Sequence, residues 1–182
     1  TRAVMFCGRY EDFFWEPQTL KLILRLLSPQ GVVMVAGGHI GYHALHIAKA
    51  IQVSGGQVYA FEPVHKFYTR MISSSSISGI ENVTVEHAAL DRQSREETRF
   101  YVSGAWSSLD PRVASKNASQ TSVRSVSLDD YVSQKDISHV DLILLDVEGS
   151  ELNILMGANQ LLHSKPDLIL EINLPVLDKQ NL

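Results

Sequence analysis

The sequence predicts an α/β fold, a mostly parallel sheet flanked by helices, and three observations carry that expectation. Apolar runs of strand length alternate with stretches of helical spacing along most of the chain. The run Val140-Asp141-Leu142-Ile143-Leu144-Leu145-Asp146 is almost continuously apolar, as suits a central parallel strand covered on both faces. Finally, the strand Gly31 to Ala36 runs into Gly37-Gly38-His39-Ile40-Gly41, a glycine-rich turn that lets a backbone approach a ligand closely. Parallel strands joined through helices require right-handed crossovers.

The elements follow in order. Residues 16–28 read as a helix, with Pro17 in the first turn and Leu20, Ile23, Leu24 and Leu27 at helical spacing. Ser28-Pro29-Gln30-Gly31 breaks it, and Trp15, beside Phe13 and Phe14, is expected to pack it on the sheet. A strand over 32–36 leads into a helix over 40–53, which Ser54-Gly55-Gly56 ends. A strand over 57–62 precedes a helix over 65–77 that holds the serine run Ser73 to Ser76 near its end. Residues 82–86 alternate as a strand, with Val83 and Val85 on one face. Residues 98–102 and 122–126 are expected to pair as an antiparallel excursion. Between them, 103–121 is a polar loop rich in Ser and Asn, with Trp106 near its start; loops of that length tend to be functional or disordered. The strand at 140–146 is followed by a helix over 149–162 and a strand over 167–172. No internal repeat is visible.

With 182 residues, the chain is expected to form one domain over 1–182. Thr1 in first place and a last apolar strand stopping short of Leu182 mark it as a possible fragment. A net charge of −4 supplies no basic field for nucleic acid. No apolar run reaches the length of a membrane span, and no secretory signal opens the chain. Cys7 stands alone, which rules out an intrachain disulfide and fits a reducing, cytoplasmic compartment. Two sequons, Asn82-Val83-Thr84 and Asn117-Ala118-Ser119, are present.

The glycine turn discriminates between cofactor classes. A dinucleotide fingerprint needs glycines at the first, third and sixth positions. Counted from Gly37, the later two are His39 and Tyr42; counted from Gly38 they are Ile40 and His43. An NAD-dependent oxidoreductase is disfavoured accordingly. The turn suits a phosphate-free nucleoside such as S-adenosyl-L-methionine (SAM). Glu62, which ends the strand before Pro63, would hold the ribose, and the backbone of Gly37 to His39 the amino-acid end.

The segments VVMVAGGHIGYHAL, VYAFEPVHKFY, NVTVEHAALD, SVSLDDYV and VDLILLDVEGSELNILMGANQLL follow the order and spacings of the FkbM-type methyltransferases. The chain resembles that family from Trp15 through Glu171, with DVEGSE at 146–151 the most distinctive piece. The resemblance implies a Rossmann-like SAM-dependent methyltransferase fold, whose last strands would lie beyond Glu171, and O-methylation of a hydroxyl on a small-molecule or sugar-like acceptor. It places Gly37, Gly38, His39 and Gly41 in the cofactor loop, Glu62 at the ribose, Ala88, Ala89 and Leu90 beside the adenine, and Asp146 and Glu148 near the methyl position. Four positions depart from the family. Val35 stands where Asp is usual, Leu144 where Lys is usual, and Ser74 and Ser78 where asparagines are common. If an Asp–Lys pair has been replaced as a unit, folding survives while cofactor affinity falls. A weak or inactive member serving as a binding module is therefore the alternative.

Methyl transfer to a hydroxyl needs a positioned acceptor and a base for its proton. Asp146 and then Glu148 are the catalytic candidates; Asp146 alternatively binds the cofactor or caps the helix near Gly149. His39, His43 and His46 fall on one helical stripe, and Asp146, Glu148 and Glu151 form an acidic set of the kind some O-methyltransferases use for Mg²⁺, but no metal is expected at either. Trp106 either lines an acceptor pocket or pins its loop to the core.

Overall fold

A computed structural model describes residues 3–6 and 16–172. The readings placed on Cys7, Phe13, Phe14 and Trp15 lie outside them.

The main sheet has six strands, all parallel, in the order β1-β9-β8-β2-β3-β4. These are β1 (Ala3–Phe6), β2 (Val32–Ala36), β3 (Gln57–Phe61), β4 (Val83–Glu86), β8 (Leu142–Leu145) and β9 (Asp167–Glu171). Period-2 alternation gives each central strand two apolar faces. Val33, Val35, Val58, Ala60, Leu142, Leu144 and Ile169 share one core cluster with residues of α1 (Pro17–Leu26), α2 (Tyr42–Ile51) and α3 (His65–Ile77). Met34, Ala36, Phe61, Ile143, Leu145 and Leu168 share the other with α4 (Leu128–Gln134), α5 (Glu151–Met156) and α6 (Asn159–Leu162). The result is a three-layer α/β/α arrangement, as the alternation predicts.

A smaller sheet, β5-β7-β6, stands beside it. It combines β5 (Ala89–Leu90) with the antiparallel pair β6 (Arg95–Val102) and β7 (Ser119–Val126). The antiparallel excursion forms over longer strands than 98–102 and 122–126, with Thr98 facing Val123 and Val102 facing Ser119. Both strands start earlier, in polar sequence, than their apolar residues reveal, and the early start of β7 at Ser119 shortens the connecting loop to 103–118.

The helix expected over 149–162 is two helices. A Cβ on Gly157 would lie 2.7 Å from the Asp91 carbonyl, so the chain turns there against its neighbour. The Asp129 carboxylate then accepts from the amides of Gln160 and Leu161, at 3.0 and 2.9 Å, and caps α6. At the opposite edge, the buried Asn82 side chain donates to the carbonyls of Ala48 and Gly56 at 2.9 and 2.8 Å. That sequon asparagine is thus an internal tie, while Asn117 is exposed.

Candidate functional site

The carboxyl ends of β2, β3, β8 and β9 open onto a cavity of about 510 Å³, a volume ordinary for a small-molecule site. It lies where the strand order reverses, β3 and β4 going one way from β2 and β8 and β9 the other. That switch point is where open α/β sheets bind ligands.

The turn after β2 explains its glycines. Gly37 has φ 76°, and a Cβ on it would sit 1.7 Å from the Asp146 carbonyl oxygen. A Cβ on Gly38 would come within 2.5 Å of Met71 Cε. Both glycine amides donate to the Phe61 carbonyl, at 3.2 and 3.0 Å, which fastens the turn to the end of β3. Gly41, at φ 94°, starts α2 and abuts Met71 and Leu45 instead of lining the cavity.

His39 takes a left-handed backbone at φ 45°, which aims its amide at Glu62 Oε2, 2.6 Å away. Glu62 Oε1 accepts from the Val64 amide at 2.7 Å. Glu62 is 4% exposed, and burial pushes its carboxyl up to about 7, against the lowering effect of the Val64 and His39 amides. The His39 ring meets Phe67 edge-on, centroids 4.1 Å apart. Further along this wall Ala89 and Leu90 line the cavity, whereas Ala88 turns its methyl into the core.

The opposite wall is acidic. Asp146 follows β8, and its carboxyl shares a hydrogen bond with Glu171 at the end of β9. Burial raises Asp146 well above the ordinary carboxylate range, helped by Glu171 and then by the charges of Glu16 and Glu148. One oxygen each from Asp146, Glu148 and Glu171 lie within 4.8 Å of one another. Glu171 thus takes the place expected for Glu151, whose Oε1 instead accepts from the amides of Val147 and Gly149 at 3.4 and 3.2 Å. Glu16 closes this end, its carboxyl held below the usual range by His43, whose Nε2 is 3.5 Å from Oε2.

The histidine stripe does not act as one unit. His39 and His43 line the cavity, while His46 is exposed with Nδ1 2.7 Å from the Tyr42 carbonyl oxygen. Glu16, His39 and Glu148 all have positive φ, at 44°, 45° and 53°. Backbone strain of this kind concentrates at functional sites. Val35 and Leu144 are in-register neighbours on β2 and β8, both buried and both on the cavity wall. Trp106 lines the outer rim and is 59% exposed, so it does not pin its loop to the core. That task falls to Ser108, whose hydroxyl donates to the Glu148 carbonyl at 2.9 Å. Among the described residues, five carboxylates and two histidines line the cavity, with no lysine or arginine. Such a lining suits a cationic ligand, and a sulfonium nucleoside is one.

Sequence reasoning missed Glu16 and Glu171. Glu171 could have been suspected as a carboxylate ending an apolar strand, the same signal that marks Glu62 and Asp146.

Residues 36–181 match the family model described as the Methyltransferase FkbM domain. Hexuronic acid methyltransferase AglP of Haloferax volcanii is 24% identical over 165 residues, which cover 91% of this chain and 65% of that protein. Methyltransferase FkbM from Methylobacillus flagellatus KT superposes with a TM-score of 0.56 at 18% identity, covering 79% of this chain and 33% of that one. Precorrin-6y C5,15-methyltransferase from Geobacter metallireducens GS-15 superposes with a TM-score of 0.55 at 12% identity, covering 94% and 72%.

Proposed function

The chain belongs to the FkbM methyltransferase family, and from that premise we propose that it is a SAM-dependent methyltransferase acting on a hydroxyl of a small-molecule or sugar-like acceptor. We read 1–182 as one domain with the Rossmann-like methyltransferase sheet. The observation that carries the proposal is the Glu62 carboxylate, fixed by the His39 and Val64 amides beside the glycine turn, with Asp146 on the opposite wall of the same cavity. AglP is by name a hexuronic acid methyltransferase, which supports a sugar-like acceptor, although this chain spans only 65% of its length.

In this reading Gly37, Gly38 and His39 accommodate the amino-acid end of the cofactor, Glu62 accepts from the ribose hydroxyls, and the backbone at Ala88 with the Ala89 and Leu90 side chains borders the adenine. Bound there, SAM supplies an electrophilic methyl group. Burial and the hydrogen bond with Glu171 raise the Asp146 carboxyl well above the ordinary range, which makes it a stronger base than a free carboxylate. Asp146 is the candidate base for the acceptor's proton, and Glu148 adds negative charge beside it. Trp106 covers the mouth where an acceptor enters.

A second reading, a binding module without turnover, is favoured by the apolar Val35–Leu144 pair on the cavity wall. Calorimetric titration with SAM and S-adenosylhomocysteine (SAH) tests the proposal. Saturable binding that Glu62→Gln weakens is expected, and absence of heat from both ligands would sink it.

A further inference from the structure

Trp106, Ser107 and Leu109 border the large cavity from the connection between β6 and β7. Ser108, in the middle of that strap, is 1% exposed and turns away from the cavity. Its backbone pairs with Tyr101 of β6, amide to carbonyl in both directions, at 2.9 and 3.0 Å. Its hydroxyl is engaged on both sides. It accepts from the Asp110 amide at 3.1 Å and donates to the Glu148 carbonyl at 2.9 Å, across 40 residues of sequence.

The turn that receives this bond carries the acidic wall. Its start is fixed to β2, where the Asp146 amide donates to the Ala36 carbonyl at 3.2 Å. Its far side is fixed to α5, whose Glu151 carboxylate accepts from the Val147 and Gly149 amides. Glu148, between those ties, has a left-handed backbone at φ 53° and is followed by Gly149 at φ 95°. Glycine adopts that region freely, whereas a glutamate there is strained and persists only where its surroundings hold it. The strained conformation has a result: one carboxylate oxygen of Glu148 lies within 4.8 Å of one each from Asp146 and Glu171. Like-charged groups disfavour such an approach. Relaxation of Glu148 into the right-handed region would re-aim its side chain away from the other two.

We propose that Ser108 is a positioning residue, whose hydroxyl holds Glu148 in the left-handed conformation that brings its carboxylate beside Asp146. Ser108 acts on the candidate base through Glu148 and touches no ligand itself. The other titratable groups around Asp146 are Glu171 from β9, Glu16 ahead of α1 and His43 from α2. The Ser108 hydroxyl bonds to none of these three. Burial, Glu171 and Glu16 each raise the Asp146 carboxyl more than Glu148 does, so Ser108 trims the basicity of Asp146 and does not create it. The same strap presents Trp106, so an acceptor resting there bears on the residue that places Glu148. That last consequence rests on the methyltransferase reading; the tie between Ser108 and Asp146 rests on the protein's own side chains.

The test follows the Asp146 carboxyl carbon by NMR through a pH titration of the whole chain. The parent is compared with Ser108→Ala, Glu148→Gln and the double variant. Ser108→Ala should lower the Asp146 midpoint, and Glu148→Gln should lower it at least as far. The double variant should fall no further than Glu148→Gln alone, because both changes remove one interaction. Ser108→Thr, which keeps the hydroxyl, should titrate with the parent. An unchanged midpoint in Ser108→Ala, or a double variant shifted by the sum of the two single shifts, overturns the proposal. Should Ser108→Ala fail to fold, the unmodified chain decides. An engaged Ser108 hydroxyl proton exchanges slowly enough to be observed and couples to the Glu148 carbonyl carbon, and absence of that signal overturns the tie. Calorimetry with SAH runs in parallel: Ser108→Ala should bind it within about twofold of the parent, and a larger loss would mean that the whole site has loosened, against a specific role. A parent that binds no SAH removes the cofactor reading, while the Asp146 midpoints still decide the role of Ser108.

Discussion

Glu62 offers the most quantitative prediction. Its carboxyl is pushed from an ordinary 4.5 up to about 7 by burial. The folded chain therefore holds a proton that the unfolded chain has already released between those values. Stability must fall as pH rises across that window and level off above it. Integrated over the window, the loss amounts to roughly 3 kcal/mol by pH 8 and under about 1 kcal/mol at pH 5. Glu62→Gln keeps the shape and removes the titration. In urea melts of the ligand-free chain, the variant should match the parent at pH 5 within about 1 kcal/mol and exceed it by roughly 3 kcal/mol at pH 8. Asp146 and Glu151 are also raised by burial and slope the same way, but they are common to both proteins and cancel in the difference. Binding should reverse the ranking, because ribose hydroxyls donate to a carboxylate and reward its ionised form. SAH affinity of the parent should accordingly rise between pH 6 and 8, with proton release visible in buffers of different ionisation enthalpy. A parent–variant stability difference that stays flat from pH 5 to 8 would refute the reasoning.

Three further outcomes can be measured on the same preparation. Gly37→Ala forces a methyl against the Asp146 carbonyl at φ 76° and should cost about 2–4 kcal/mol in denaturant melts; a loss below about 1 kcal/mol would mean that the two strand ends are free to separate. Val35→Asp and Leu144→Lys should each destabilise by roughly 3–5 kcal/mol alone, while the double variant recovers most of the loss and binds SAM more tightly by calorimetry; unchanged affinity would remove the pair from the cofactor site. Trp106→Ala should shift stability by no more than about 0.5 kcal/mol because its ring is largely exposed, while raising the KM for acceptor and sparing SAH affinity; a large loss of stability would return Trp106 to the core.

The half of the site built from consecutive elements was legible. From β2 to β3 the chain writes strand, glycine turn, helix and carboxylate in order, and α3 spans the predicted residues 65–77. The other half is assembled across the sheet, and sequence spacing cannot show it. Glu16, His43, Asp146 and Glu171 meet only because β8 and β9 lie beside β2. Periodicity also failed where neither strand face is buried. Arg95 to Glu97 and Ser119 to Ser122 carry exposed polar side chains, so nothing apolar betrays the full lengths of β6 and β7. The break at Gly157 depended on a backbone 66 residues earlier, since Asp91 is what its Cβ would strike. That the Ala88 methyl faces the core and that Gly41 abuts Met71 and Leu45 follow from packing, which sequence order does not show.

The pairing of β2 with β8 has a further consequence, for how the molecule comes into being. Asp141 accepts from the Val32 amide across a sequence separation of 109 residues, and the strands it ties together carry the glycine turn and the acidic wall. Contacts of such high order form late, after the entropy of closing the intervening chain has been overcome. During synthesis the β2–α2–β3 unit can assemble as soon as its residues emerge. The cavity cannot close until β8 and β9 have been made and inserted beside it. A nascent or truncated chain ending before Asp141 thus exposes one apolar edge of β2, and a ligand present at that stage meets only half of the cavity's walls.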